Sequence, residues 1–293
     1  MGVAISPFAA KICGICISHL APPVTLTGMA SSCDRDMPKL SVYIPVLNEE
    51  DKIEDALKSV SWADEVVVID TGCTDQTITI AKKYTQRIIT HSFDGFGALR
   101  NHGVETCSHE WILSLDADER CTPELRDEIL SVIQGADVKD TYYIPRRNWF
   151  MGRWIKYCGW YPDYCQPKLF RSHALLYQDD LVHEGFDIRG TVGYLNHDIL
   201  HLSFSGFSQI IRKIDRYSDL GADKLEQKGT RASMLIALLH GLGAFFRIYV
   251  LKRGFLDGWA GFIIAFGNFE GTFYRYAKLA ARQRGWNKPP RGK

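Results

Sequence analysis

WILSLDADE, residues 111–119, decides the reading of this chain. A run that is apolar but for Ser114 suits a strand buried on both faces, and Asp116 and Asp118 arrive where such a strand leaves its sheet. Working outward, EVVVID (65–70) is a second continuously apolar run and SVYIPVL (41–47) a third. Ile53, Ala56, Leu57 and Val60 follow at helical spacing behind Asn48, with Glu49, Glu50 and Asp51 where a helix dipole favours acids. Thr74 or Asp75 is placed to cap the next helix, and RIIT (87–90) reads as a further short strand. FDGFGALRNHGVE (93–105) is a Gly-containing stretch leading into a strand over 111–118. Beyond it, Thr122 reads as an N-cap with Pro123 at the first helical position. This alternation predicts an α/β, doubly wound, mostly parallel sheet with its ligands at the carboxyl ends of the strands.

The composition agrees with a folded body. Apolar residues at 46% and charged residues at 24% exclude a disordered chain, a collagen-like fibre and a polytopic membrane protein. The net charge of +1 conceals a division. Residues 1–204 hold 19 Lys+Arg against 28 Asp+Glu, whereas residues 205–293 hold 16 against 6. An acidic body joined to a basic tail points to an anionic partner for the tail. Eight cysteines scattered singly among apolar runs read as reduced thiols, and the lone Cys13/Cys16 pair lacks the second pair of a zinc ribbon. Residues 1–38 make a poor secretory signal, broken by His19 and Pro22, and read as a flexible extension ahead of or around a working start at Met37. The expected organisation is therefore 1–38 extension, 39–204 catalytic α/β domain, and 205–293 basic amphipathic helices.

After about residue 140 the sequence is aromatic-rich and loop-like through KLFR (168–171), followed by another strand and VHEG (182–185). From Phe207 it reads helical, with Phe207, Ile210, Ile211, Ile214, Tyr217 and Leu225 mostly on one face and Arg212, Lys213, Arg216 and Lys224 off it. Between Ala232 and Leu251, 15 of 20 residues are apolar, which barely reaches spanning length and includes Arg247. Amphipathic helices lying in an anionic membrane interface fit these cations and aromatics better than a span or a soluble core. Nucleic acid is not expected as a partner, because the cations accompany a large apolar surface.

Chemistry concentrates in four places. Asp116 and Asp118 are hard oxygen ligands suited to Mg²⁺ or Mn²⁺ holding a diphosphate, the bland alternative being an Asp-rich turn. Asp70 ends its strand beside Thr71-Gly72, where a base N–H, a ribose hydroxyl or its own turn would satisfy it. Arg100 is the candidate cation for phosphates, against a plain surface arginine. The G-F-G of residues 95–97 is no dinucleotide fingerprint, since Arg100 stands at the third glycine position.

Taken in order, SVYIPVLNEE, IDTGCTDQT, GALRN and DADE resemble the motifs of glycosyltransferase family 2, with its inverting GT-A fold, along most of residues 39–278. The resemblance implies that Asp70 contacts the nucleobase, Asp116 the ribose or metal, and Asp118 the metal, while Pro45, Asn48 and Glu49 line the nucleotide pocket. GWYPDYCQPKLFR, VHEG and KRGFLDGWAGF are most similar to the lipopolysaccharide core glucosyltransferase branch. Cys73 stands where the family more usually has Ser. Glu184 of VHEG is the implied general base, with Asp163, Asp179 and Asp180 as rivals, His183 an assistant, and Trp160 and Tyr161 as aromatics for an acceptor sugar. The expected activity is transfer of glucose from UDP-glucose, with a divalent cation, to a lipid-linked saccharide such as the lipopolysaccharide inner core. The expected location is the inner face of the cytoplasmic membrane, held peripherally. A nucleotidyltransferase or a non-catalytic sugar-binding scaffold are the rival readings, although VLNEED lacks the Gly- and Lys/Arg-rich loop of the former.

Overall fold

The computed structural model describes residues 37–178, 185–204 and 206–286. All elements below lie in the compact unit Lys39–Lys293. Strands and helices alternate at first: β1 (Leu40–Val46), α1 (Ile53–Ser59), β2 (Glu65–Asp70), α2 (Thr77–Ala81), β3 (Arg87–Thr90), α3 (Phe96–Thr106) and β4 (Trp111–Ser114). Then come β5 (Glu119–Cys121), α4 (Pro123–Ile133), β6 (Thr141–Tyr143), β7 (Arg146–Phe150), β8 (Arg153–Trp154), β9 (Pro167–Arg171), β10 (Leu175–Tyr177), β11 (Phe186–Ile188), β12 (Val192–Tyr194) and β13 (Ile199–Phe204). Three long helices follow, α5 (Phe207–Gln227), α6 (Met234–Phe246) and α7 (Gly258–Arg284).

The main sheet has the order β12-β6-β9-β4-β1-β2-β3, and its β3-β2-β1-β4 half is parallel. Alternate residues of its strands bury opposite faces. Leu40, Val42, Ile44 and Val46 pack with Leu57 of α1 and with Leu125, Ile129 and Ile133 of α4. Tyr43, Val67, Ile69 and Ile112 pack with Leu99 of α3 and with Tyr177. A smaller sheet, β5-β13-β7-β8, closes over the carboxyl end of β4. The fold is thus the expected α/β arrangement with a mostly parallel sheet and C-terminal helices. As expected, Thr122 caps α4, its hydroxyl accepting from Leu125 N at 3.2 Å ahead of Pro123.

Residues 96–106 form a helix, whose buried face of Gly97, Leu99, Arg100 and Gly103 carries no apolar stripe. Two expectations are corrected. β4 ends at Ser114 rather than residue 118, because Asp116 N turns from the sheet to the Glu119 carboxylate at 2.9 Å. The aromatic segment after 140 is folded into β6–β9 rather than loops, and β9 inserts antiparallel between β4 and β6.

Among the C-terminal helices, α5 and α6 both pack along α7. Residues 247–251 and 254–257 make one wide and one tight helical turn between α6 and α7. Phe150, Ile155 and Cys158 of the β7–β8 region share a core with Ile248, Ala260, Ile264 and Ala265.

The approach of α3 to β1 depends on Gly103, where an added β-carbon would meet the buried Tyr43 ring at 2.6 Å. Gly103→Ala should lower stability by about 1–3 kcal/mol in urea unfolding, as overpacking does. An unchanged midpoint would show that the ring yields freely.

Candidate active site

The loops after β1 and β2 are bound into one rim. Thr71 N donates to Val46 O at 3.1 Å, continuing the parallel register one step past the strands. Asn48 adopts a left-handed conformation (φ 54°), its N–H reaching Cys73 Sγ at 3.3 Å and its Oδ1 accepting from Thr74 N at 2.8 Å. Glu49 N donates to Thr77 Oγ1 at 2.8 Å, Glu50 N to Asp75 Oδ2 at 3.2 Å, and Gln76 N back to Glu50 Oε2 at 2.9 Å across the rim. Cys73 Sγ thus accepts a hydrogen bond from the facing loop. Burial, with the Asp70 carboxylate nearby, pushes its thiol up to about 11, so it stays neutral at physiological pH.

Asp70 stands at the tip of β2. Its Oδ1 accepts from Gly72 N at 3.0 Å and Cys73 N at 2.8 Å. Partial burial raises its pKa, but these two N–H groups outweigh it and hold the carboxyl below the ordinary range. Asp70 shapes its own turn with one oxygen. Pro45 lies half-buried inside β1, paired with Ile69, while Asn48 and Glu49 sit on the rim beside it.

The DAD loop is built differently from expectation. Arg100 is neither a surface arginine nor a cation facing outward. It is buried, with Nη1 on Ser114 Oγ and Nη2 on Asp116 Oδ1, both at 3.1 Å. Lys168 of β9, 1% exposed, bridges Asp116 Oδ2 at 2.9 Å and the buried Glu119 Oε2 at 2.6 Å. Arg146 of β7 continues the chain, 3.6 Å from Glu119 Oε1 and 2.7 Å from Asp163 Oδ2. Burial alone would raise the Asp116 pKa. The Arg100 guanidinium and Lys168 ammonium overcome this and hold it well below the ordinary carboxylate range.

Asp163 also accepts from Asn148 Nδ2 at 3.2 Å, and the same amide nitrogen donates to Trp160 O at 3.0 Å. These bonds fix the Asn148 amide so that its oxygen faces His201 Nδ1 at 2.6 Å. Nδ1 then carries the hydrogen, and Nε2 turns toward Asp118 Oδ2 at 3.4 Å. A ring-nitrogen lone pair and a carboxylate facing one another require a proton or a cation between them. Burial raises the Asp118 pKa and His201 brings it back below the ordinary value.

This donor set fits a hard divalent cation better than Asp116 does, since both Asp116 oxygens already meet protein cations. The arrangement matches the usual support of a metal-bound histidine, whose other nitrogen donates to an oxygen acceptor. Among the described residues no three His, Cys, Asp or Glu side chains are placed to hold a metal ion together. Asp118 and His201 would supply two ligands, leaving the rest to diphosphate and water, as Mg²⁺ commonly takes them.

The remaining expected residues divide. Glu184, with Asp179, Asp180 and His183, lies outside the described residues. Trp160 packs edge-on against Phe150 and Tyr161 against Trp154, so both have packing roles. The sequence reading missed His201, Lys168, Glu119 and Arg146. His201 sits in an ordinary apolar alternation, ILHLSF, that carries no motif. Lys168 was signalled only by a cation inside QPKLFR, an otherwise strand-like run.

The family model described as glycosyl transferase family 2 matches residues 41–174, which span the rim loops, Arg100, the DAD loop and Lys168. These residues are a family 2 glycosyltransferase domain. The chain is 27% identical to an uncharacterized glycosyltransferase of Rickettsia bellii over 82% of its own length and 86% of the relative's. It is equally 27% identical to the lipopolysaccharide core biosynthesis glycosyltransferase LpsC of Rhizobium meliloti, over 83% of this chain and 92% of that one. Among solved structures, glucosyl-3-phosphoglycerate synthase from Mycobacterium tuberculosis, in complex with Mn²⁺ and UDP-glucose, aligns at 22% identity and a TM-score of 0.34. That alignment covers 38% of this chain and 44% of the other. The matched segment thus holds the recognised motifs and three strands of the small sheet, whereas β13, which carries His201, follows it.

The buried cation of this domain has a testable signature. Lys168→Met should cost about 3–5 kcal/mol near neutral pH, since it strands two carboxylates without their counter-ion. Asp116, with a depressed folded pKa, contributes stability above its unfolded value and loses it as pH falls through the folded one. The variant keeps Arg100 but loses the Lys168 share of that depression, so its deficit in urea unfolding should shrink as the pH falls below about 4. A deficit constant with pH would mean that packing rather than charge was lost.

Proposed function

We propose that this chain is an inverting glycosyltransferase. It moves glucose from UDP-glucose to a lipid-linked saccharide, such as the lipopolysaccharide inner core, with Mg²⁺ or Mn²⁺, at the inner face of the cytoplasmic membrane. The observation that carries the reading is the Asp118–His201 pair at the carboxyl end of β4, held by Asn148 and set beside the Asp70 rim. Similarity to LpsC along most of both chains supports a lipopolysaccharide core acceptor.

On this reading the nucleoside seats against Asp70, Asn48 and Glu49, and Asp116, fixed by Arg100 and Lys168, presents its exposed edge to the ribose. The cation held by Asp118 and His201 offsets charge on the departing diphosphate when it is bound. Lys213 of α5 lies in electrostatic reach of Asp118 and Lys52. Desolvation lowers its pKa while Asp118 draws it back, which sets a cation beside the Asp118 carboxylate. The base that takes the acceptor proton is assigned to Glu184 on its motif. Asp163 is a poor alternative, because Arg146 and Asn148 already occupy its carboxylate.

The C-terminal helices supply the membrane attachment. On α6 the small residues Ala237, Gly241 and Ala244 face the protein, while Leu235, Leu239, Leu242 and Phe246 are exposed. The window Met234–Leu251 is long and apolar enough to cross a membrane, with mean hydropathy 1.9, and only 22% of it is buried. The apolar residues Phe207, Ile211 and Tyr217 of α5 also face outward. Large apolar side chains outside and small ones inside suit a lipid interface, where each nearby cation adds about 1 kcal/mol.

Asp118→Asn and His201→Gln should each abolish divalent-dependent UDP-glucose binding, measured by calorimetry, without loss of fold. Near-normal metal-dependent binding by either variant would break the proposed pair. Glu184→Gln should leave donor binding intact and reduce turnover by roughly 10²–10⁴. Turnover close to wild type would place the base elsewhere. Absence of any donor hydrolysis or transfer across a panel of nucleotide sugars would return the choice to a binding scaffold.

A further inference from the structure

We propose that the membrane-facing surface extends from the C-terminal helices onto the β7–β8 hairpin of the catalytic body, with Met151 at its tip entering an anionic lipid leaflet. The inference rests on the membrane attachment proposed above. Met151 and Gly152 both have positive φ, 52° and 73°, as the two central residues of the tightest hairpin turns do. Asn or Asp followed by Gly serves such a turn at less strain, because short polar side chains tolerate the left-handed region. This hairpin instead holds a methionine there, 51% exposed. The turn gains nothing from that choice, and a long, pliable apolar side chain at a solvent-exposed tip suits contact with an apolar partner.

The partner follows from what surrounds the tip. The hairpin is clamped to the turn between α6 and α7. The Asp257 carboxylate accepts from Lys156 N at 3.2 Å and Tyr157 N at 2.9 Å, and Cys158 N donates to Lys252 O at 3.0 Å. Arg153 Nη1 lies 3.1 Å from where a β-carbon of Gly258 would stand. Beside that contact, Leu251, Phe255, Leu256 and Trp259 are all exposed, Trp259 by 79%. Arg153, Lys156, Lys252 and Arg253 are exposed around them, and among the described residues none of the four pairs with a carboxylate. Lys156 lies over the Trp154 ring at 4.5 Å. Apolar side chains ringed by unpaired cations match the boundary of a bilayer rich in anionic headgroups, and this face is continuous with the exposed face of α6.

The consequence reaches the site through one strand. β7 carries Arg146 and Asn148, which hold Glu119, Asp163 and His201, and it ends one residue before Met151. A hairpin seated in the headgroups sets the distance between the Asp118–His201 pair and the leaflet that holds a lipid-linked acceptor.

The test uses the full chain, with vesicles of phosphatidylcholine containing phosphatidylglycerol and vesicles of phosphatidylcholine alone. Met151→Asn relieves the turn, so its melting temperature should equal or exceed that of the wild type, and hydrolysis of soluble donor should not change. Its partition onto the anionic vesicles should nevertheless fall by roughly a factor of ten, the loss expected for one withdrawn apolar side chain. Arg153→Gln combined with Lys252→Gln should produce a similar loss on anionic vesicles and none on neutral ones. If the wild type binds and Met151→Asn binds equally well, the hairpin is not part of the surface and this inference alone is overturned. If the wild type itself fails to bind anionic vesicles, the attachment through the C-terminal helices falls first and takes the hairpin with it.

Discussion

A lysine ammonium buried in the middle of a sheet is the constraint on which this site depends. Lys168 leaves water almost completely, and desolvation of that charge is tolerable only because Asp116 and Glu119 meet it at 2.9 and 2.6 Å. The pairing fixes three elements at once. β9 must lie beside β4, the DAD loop must turn back over it, and β5 must begin where Glu119 can reach inward. Arg100 and Arg146 extend the same alternation of charge to Asp163, and Asn148 carries it by hydrogen bonds to His201. The half-buried carboxylate of Asp118 thereby faces an imidazole whose orientation was settled several bonds away. Such support is how a site keeps its geometry before a ligand arrives.

The legible part of the fold was the part whose signal is local. β1, β2 and β4 are runs of apolar residues, and the Thr122–Pro123 start of α4 is a matter of two adjacent residues. What escaped depends on partners distant in sequence. α3 buries glycines and an arginine, so its helical face has no apolar period, and the reason for Gly103 is the ring of Tyr43 in a distant strand. β9 carries a lysine inward that makes sense only against Asp116. The same holds for the site: Asp116, Asp118 and Asp70 stand at strand ends and could be singled out, whereas His201 is distinguished by facing Asp118 and by nothing in its own neighbourhood. The burial of Arg100 was illegible for the same reason, since its carboxylate partner Asp116 lies on another element.

The C-terminal helices invert the usual pattern. An apolar stripe on α5 is ordinarily read as the face turned to a core, yet Phe207, Ile211 and Tyr217 face outward and Ser218 and Ala222 face inward. Helix packing explains the inversion. Gly221, Gly241 and Gly261 let neighbouring chain approach closely, with Arg275 and Phe269 packed against the first two. Close approach of three helices consumes the small residues, and the large apolar ones are left on the outside. In water that arrangement leaves a large hydrophobic surface unburied, which a soluble monomer rarely tolerates.

These two halves of the molecule constrain one another through α5 and β7. The first turns of α5 bring Lys213 toward Asp118, while its outward apolar face joins the surface formed by α6. β7 holds the Asn148 that orients His201 and shares a core with Ile248 and Ala260 of the helical region. The helices are therefore not an appendage that could be exchanged without consequence for the sheet. A displacement of the helical region would move the β7–β8 hairpin and, through Asn148, the imidazole opposite Asp118. The site's geometry and the orientation of the exposed apolar surface are linked here by packing and by a single side-chain amide, so they belong to one rigid problem.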